Sequence, residues 1–298
     1  MQQISRVLVA VDFSKPARSA FESALALSER HSAELVALQV VPLDQAFGWR
    51  ARERYALAAK FRRMADLANV EFADIVEQGD PAKIIVSHAD SLRPDLIVVG
   101  THQRAGIDRF LNGSVAERVA AKSSVPVLVV PLRGNTVAVH PFSHLAVAVD
   151  FTAAANRAIE QALALARDPA DRLTFLHLVP DFPSVAAPYS YGYGIAEYQD
   201  DVMQDAQRRV QLAVAAMRNT PAAVDIRVLP GSNATQISRV VDTVGADLLV
   251  VGVPTRGAVA RAVFGSTAAR VLPVSRVPVL AVPEGGTATA HRPLQLAA

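Results

Sequence analysis

Two stretches carry the residue types from which a phosphate cradle could be built. Residues 100–114 read GTHQRAGIDRFLNGS and residues 252–266 read GVPTRGAVARAVFGS. Each opens on a glycine that closes an apolar run, Gly100 or Gly252. An arginine follows four residues on, Arg104 or Arg256, and each stretch ends in a Gly-Ser pair, Gly113-Ser114 or Gly265-Ser266. An apolar run that stops at glycine and leads to a Gly-Ser helix entry reads as strand, loop, helix, a layout in which backbone N–H groups can gather round an anion. Arg104 and Arg256 each offer a fixed positive charge to phosphates at the start of the loop, and both could equally be solvated.

A second pair of candidates follows two earlier apolar runs. Asp12 ends VLVAV (Val7 to Val11), and Asp150 ends LAVAV (Leu145 to Val149). A carboxylate there could accept hydroxyl or amine hydrogens from a ligand, or merely cap the helix that follows. Ser14 is also placed to cap, with Pro16 tolerated in the first turn. Ser114 through Glu117 is a capping box that needs no ligand, whereas Ala269 stands where the second copy would carry its acid. Gly100 and Gly252 could serve simply to let the chain turn at a strand end.

Composition removes several chemistries. The chain has no cysteine, which excludes disulfides, thiolate metal sites and a cysteine nucleophile. Its seven histidines show no ligand spacing, so no protein-built metal site is expected. His102, in the first loop, reads as a solvated side chain more readily than as a phosphate contact. A net charge of +2 from 30 basic and 28 acidic residues argues little for nucleic acid. The run Arg50, Arg52, Arg54, Lys60, Arg62, Arg63, interleaved with Trp49, Tyr55 and Phe61, spreads over several faces of a helix and reads as a solvated surface. The first apolar run is too short for a signal sequence or a membrane span, and a cytoplasmic protein is expected.

These residues must be positioned by the elements around them. Val7 to Val11, Leu35 to Val41, Phe72 to Val76, Leu96 to Val99 and Val125 to Pro131 read as strands, with helices between them, the fourth strand ending at Gly100. Continuous apolar runs such as VLVAV suit strands buried on both faces of a parallel sheet. At 298 residues about two domains are expected, and an internal repeat supplies them. VLVAVDFS returns as LAVAVDFT, LVALQVVP as LTFLHLVP, PDLIVVG as ADLLVVG, and VPVLVVP as VPVLAVP. The spacing between copies grows by 14 residues along the chain, which places an insertion in Pro180 to Tyr198, read as a surface loop. The domains are then 1–133 and 144–284, joined by a linker from Gly134 to Ser143 and followed by a loose tail. VPVLVVP and VPVLAVP are apolar on both faces but bounded by proline, which confines them to a sheet edge. Val127 to Val130 and Val279 to Val282 are therefore expected to cover each other.

With both copies in view, the chain resembles the universal stress proteins in their tandem two-domain form. The resemblance rests on VAVDFS and VAVDFT, the Gly-Asp-Pro turn at residues 79–81, PDLIVVGTH, GSVAERV and the two closing runs, and covers both halves almost end to end. It implies an α/β fold of two tandem open parallel five-stranded sheets flanked by helices, Rossmann-like, of strand order 3-2-1-4-5. It also implies that the two halves pack as an intramolecular pseudo-dimer. In one branch of the family it implies ATP or another adenine nucleotide bound through G-x2-G-x9-G-[ST]. That motif maps to Gly100, Gln103, Gly113 and Ser114, and to Gly252, Thr255, Gly265 and Ser266. Both copies depart at the second glycine. A side chain where φ must be positive costs about 1–2 kcal/mol, and Gln103 could instead contact phosphates. The family's adenine or ribose position maps to Asp12 and Asp150. Its base-flanking backbone maps to Val40-Val41 and Leu178-Val179, whose carbonyls could accept from an exocyclic amine.

The reading is thus a regulatory nucleotide binder without strong catalysis, any magnesium arriving with the nucleotide. No Walker GxxxxGK[ST] motif and no loop lysine are present, so ATP would bind more readily than react, although slow hydrolysis stays open. The alternative is a nucleotide-independent interaction module with closed clefts. Protein partners, and any homodimer beyond the internal pairing, are not specified by the sequence.

Overall fold

The computed structural model describes residues 4–12, 14–41, 51–101, 115–132, 142–166, 168–180, 195–217, 222–231, 234–254 and 266–285. Strand and helix alternate: β1 (Arg6–Val11), α1 (Lys15–His31), β2 (Glu34–Val41), α2 (Ala51–Leu67), β3 (Phe72–Gln78), α3 (Pro81–Leu92), β4 (Leu96–Thr101), α4 (Val115–Lys122) and β5 (Val127–Pro131). The repeat follows as β6 (His144–Ala148), α5 (Ala153–Leu165), β7 (Arg172–Val179), α6 (Ile195–Met217), β8 (Ala223–Pro230), α7 (Ala234–Val244), β9 (Leu248–Val253), α8 (Ser266–Val271) and β10 (Val279–Pro283).

The chain forms two compact units, Met1–Pro141 with Ser275–Ala298, and Phe142–Val274. In the first, the strand order is β3-β2-β1-β4-β5-β10. Its first five members give the 3-2-1-4-5 order expected of a parallel doubly wound sheet. Val9 pairs with Ala37 on one side and Val98 on the other, both parallel. In the second unit the order is β9-β6-β7-β8, with Val147 paired to Phe175 and Val250.

The apolar runs become strands because both of their faces are covered. Leu8, Val9, Ile97 and Val98, and Leu145, Val147, Leu249 and Val250 in the repeat, are sealed from solvent. α1 lies over β1 and β4, and α5 over β6 and β9. In the first unit Phe21 of α1 stacks on Phe61 of α2 at 3.9 Å, with Phe72 edge-on at 6.1 Å. Phe61 is thus a core residue. Beside it Arg62 pairs with Asp74 and lies 5.3 Å from the Phe72 ring, while Tyr55 is exposed. The basic stretch over 55–63 is a solvated helix face wrapped round a buried aromatic, as the charge pattern implies; Trp49 lies outside the described residues.

The fifth strand of the repeat goes to the first unit. β10 runs antiparallel to β5, with Val279 opposite Val129, Leu280 opposite Leu128 and Ala281 opposite Val127. All six side chains are buried. The expectation that the two closing runs cover each other holds at the level of the strands.

Several boundaries differ from the sequence reading, β5 for one beginning at Val127 rather than Val125. β4 and β9 do not stop at the glycine, since Gly100 and Thr101 still pair with Val130 and Pro131 and β9 extends to Val253. β3 continues to Gln78, paired with Val41. The segment read as a long inserted loop ends in helix from Ile195 onward, and α6 runs 23 residues against 17 for α2. Part of the insertion is therefore extra helix.

Candidate functional site

The special residues gather at the carboxyl ends of the strands, where the order reverses between β1 and β4 in one unit and β6 and β9 in the other. This is the crevice in which an open parallel sheet binds ligands. Asp12 follows β1, Val40 and Val41 end β2, and Gly100 is the next-to-last residue of β4. Asp150, Leu178, Val179 and Gly252 stand in the same places in the second unit.

The aspartates prepare the helices without capping them. Asp12 Oδ1 accepts the Ser14 N–H at 2.7 Å, and Ser14 Oγ accepts the Ala17 N–H at 3.2 Å as the N-cap of α1. Asp150 Oδ1 accepts the Thr152 N–H at 3.1 Å and the Thr152 hydroxyl at 2.5 Å, while Thr152 caps α5 through the Ala155 N–H. The capping role open to Asp12 and Asp150 thus falls to Ser14 and Thr152. Both aspartates are exposed, and each keeps Oδ2 free of hydrogen bonds among the described residues.

Glycine at 100 and 252 answers a packing requirement. A Cβ at Gly100 would lie 2.3 Å from the Pro16 carbonyl oxygen, and one at Gly252 would lie 2.5 Å from the Ala154 carbonyl carbon. The strand end lies against the first turn of α1 or α5 so closely that no side chain fits. The turn-making role open to these glycines from sequence is replaced by this contact, because the strand continues through them.

In the second unit a cleft of about 180 Å³ opens between these strand ends. Its walls include Ala148, Val149 and Asp150 after β6, Leu176, His177, Leu178 and Pro180 from β7, and Val251 and Gly252 from β9, with Ile237 of α7 and Thr267 of α8. Asp150, Leu178 and Gly252 thus line one cleft. Val179 is buried beside them, and its carbonyl already accepts the Gly231 N–H at 2.7 Å. In the first unit the Val41 carbonyl likewise accepts the Gly79 N–H at 3.0 Å. Gln103, Arg104, Gly113, Ser114, Thr255, Arg256 and Gly265 lie outside the described residues, as does His102; Ser266 enters as the first residue of α8.

Two further walls, His177 and Ile237, were not singled out from sequence. His177 Nδ1 lies 2.7 Å from the Val149 carbonyl oxygen, and its ring lies 4.6 Å from that of Phe151. The guanidinium of Arg209 sits 4.1 Å over the other ring, Phe151. Phe151 has φ +62°, in the left-handed region that a bulky side chain rarely adopts. Aligning LTFLHLVP on LVALQVVP would have flagged His177, since the first copy has Gln39 there.

In the first unit, Asp80 is the N-cap of α3 and accepts the Lys83 N–H at 2.9 Å. The Arg118 guanidinium of α4 donates to its other oxygen at 2.9 Å. The Arg118 hydrogen bond first, and the Lys83 N–H second, hold the Asp80 carboxyl below its usual range. The Gly-Asp-Pro turn thereby ties α3 to the helix that follows the first loop. Among the described residues no cluster of three or more His, Asp or Glu could hold a metal, and no helix is long and apolar enough to cross a membrane.

Comparison with known proteins agrees with this architecture. A universal stress protein of Methanocaldococcus jannaschii is 31% identical over 137 residues, covering 42% of this chain and 81% of that protein. A second, from Bacillus subtilis, is 28% identical over 145 residues, covering 42% of this chain and 98% of its own. The crystal structure of a universal stress protein from Archaeoglobus fulgidus superposes with a TM-score of 0.72 at 21% identity, covering 95% of this chain and all of that one. The model of the universal stress protein family matches twice, at residues 3–131 and 141–283. With one match on each copy of the repeat, the chain belongs to the universal stress protein family in its tandem two-domain form.

Proposed function

We propose that this universal stress protein is a stress-response regulator that binds ATP or another adenine nucleotide at the strand-end clefts of its two repeats, 1–133 and 144–284, without strong catalysis. The observation that carries this reading is the cleft of the second unit. There the Asp150 carboxylate, with one oxygen free of hydrogen bonds among the described residues, faces the same space as Leu178 and Gly252. A free carboxylate oxygen suits a ribose hydroxyl, and the apolar walls Leu176, Leu178, Ile237 and Val251 suit the face of a base. Magnesium, where present, enters with the phosphates.

One observation favours a second reading, a nucleotide-independent interaction module. Gly100 and Gly252 are required by the helix backbones behind them, so their presence does not by itself demand a ligand.

Mass spectrometry of small molecules released on denaturing the purified protein, with ATP calorimetry on the stripped protein, separates the two. Released adenine nucleotide, or saturable binding lost in Asp12→Ala with Asp150→Ala, supports the nucleotide reading. No nucleotide and no heat up to millimolar ATP would transfer the argument to the interaction module.

A further inference from the structure

His177 is held in the second cleft in one tautomer. The Val149 carbonyl, 2.7 Å from Nδ1, can only accept, so Nδ1 carries the proton and the neutral ring presents Nε2 as a bare acceptor. Nε2 has no hydrogen-bond partner among the described residues, and the residue lines the cleft. The ring is steadied by Phe151 at 4.6 Å, itself covered by Arg209 at 4.1 Å. Phe151 has a positive φ of 62°, a sterically costly backbone of the kind that concentrates at functional sites. The neighbouring strand-end acceptor, the Val179 carbonyl, is already engaged by Gly231.

From this we infer that His177 is the base-reading residue of the second cleft, its Nε2 accepting from the exocyclic amine of an adenine-type base and disfavouring a purine that carries a carbonyl at that position. The inference rests on the nucleotide reading above, which puts the base beside Leu178 and the sugar beside Asp150. A six-position carbonyl would set two acceptors against each other. The ring cannot escape by switching tautomer, because that would set Nδ1 against the Val149 oxygen. At the matching position the first unit carries Gln39, a buried side chain whose amide offers both a donor and an acceptor. The two repeats therefore differ in selectivity: the second discriminates between purines and the first does not.

The test titrates ATP and inosine triphosphate into the stripped full-length protein, wild type, His177→Asn and His177→Gln. Asparagine can keep the donor to the Val149 carbonyl while removing the outer acceptor; glutamine can restore an acceptor at Nε2 reach. Wild type is expected to prefer ATP about tenfold at one class of site, the equivalent of about 1.4 kcal/mol. His177→Asn should bring that preference close to parity and His177→Gln should recover part of it. In nitrogen-detected imidazole spectra, ATP should move the Nε2 resonance of His177, assigned by its loss in the asparagine variant. ATP binding with an unchanged preference in His177→Asn and an unmoved Nε2 overturns this inference and leaves the nucleotide reading standing. Failure of wild type to bind either nucleotide at millimolar concentration overturns both.

Discussion

Gly100 and Pro16 meet backbone to backbone: a Cβ on the glycine would lie 2.3 Å from the proline carbonyl oxygen. Neither atom belongs to a flexible side chain, so the clash is relieved only by moving β4 or the first turn of α1. Gly100→Ala is expected to destabilise the nucleotide-free protein by about 1–3 kcal/mol, the usual range for overpacking a core. Gly252→Ala, 2.5 Å from the Ala154 carbonyl carbon, should behave alike. Urea unfolding without ligand checks this; wild-type midpoints would mean that the glycines answer to the ligand alone.

Asp95 and Asp247 fasten the first strand of each unit at its start. Asp95 Oδ2 accepts the Ser5 N–H at 2.7 Å and the Arg6 N–H at 3.1 Å. Asp247 accepts the Ser143 N–H at 3.0 Å, the Ser143 hydroxyl at 3.1 Å and the His144 N–H at 3.1 Å. Replacing either by alanine removes the acceptor of a buried or part-buried backbone donor, Arg6 N–H or His144 N–H, which costs about 1–3 kcal/mol per buried group. Asparagine, which keeps an acceptor, should lose less. Amide exchange at Arg6 and His144 would report the local release directly.

Leu280 of β10 faces Leu128 of β5 across the antiparallel pair, both sealed from solvent. Leu280→Lys introduces an unpaired buried charge, a loss of about 3–5 kcal/mol by analogy with broken buried ion pairs, and frees the β5 edge to pair with other chains. A lower melting temperature and larger species in size-exclusion chromatography are expected. Wild-type behaviour in both Leu280→Lys and Leu128→Lys would contradict the strand pairing.

His144 gives stability a pH dependence. Burial first, and the Arg172 charge second, push its ring below the ordinary 6.5, with Asp247 opposing. The unfolded chain then takes up a proton near pH 6.5 that the folded ring resists, so stability is full above that value and falls as the pH drops through it. His144→Gln, able to reach Thr174, whose hydroxyl lies 2.9 Å from Nε2, should flatten the difference between denaturant midpoints at about pH 7.5 and pH 5.5.

The sheet was legible because its strands are buried on both faces, and such strands announce themselves as unbroken apolar runs. VLVAV and LAVAV, with an aspartate at each end, were enough to locate the crevice. What sequence could not convey was the reason for particular residues. The need for glycine at 100 lies in a helix backbone more than eighty positions earlier in the chain, and no local pattern encodes that approach. Sequence spacing speaks to histidine as a metal ligand, whereas the chemistry of His177 comes from the Val149 carbonyl just after the adjacent strand. The Pro, Gly and Tyr content of the extra residues in the second copy reads as a loop, although α6 takes some of them into helix.

β10 also sets an order of events during biosynthesis. The strand that seals β5 is encoded after the whole of the second unit, so a nascent first unit leaves the ribosome with Leu128 still uncovered. Domains generally fold as they emerge, from the N-terminus onward, but here the earlier unit cannot finish before the later one has been translated. The two copies are consecutive in the gene, yet their maturation is interleaved.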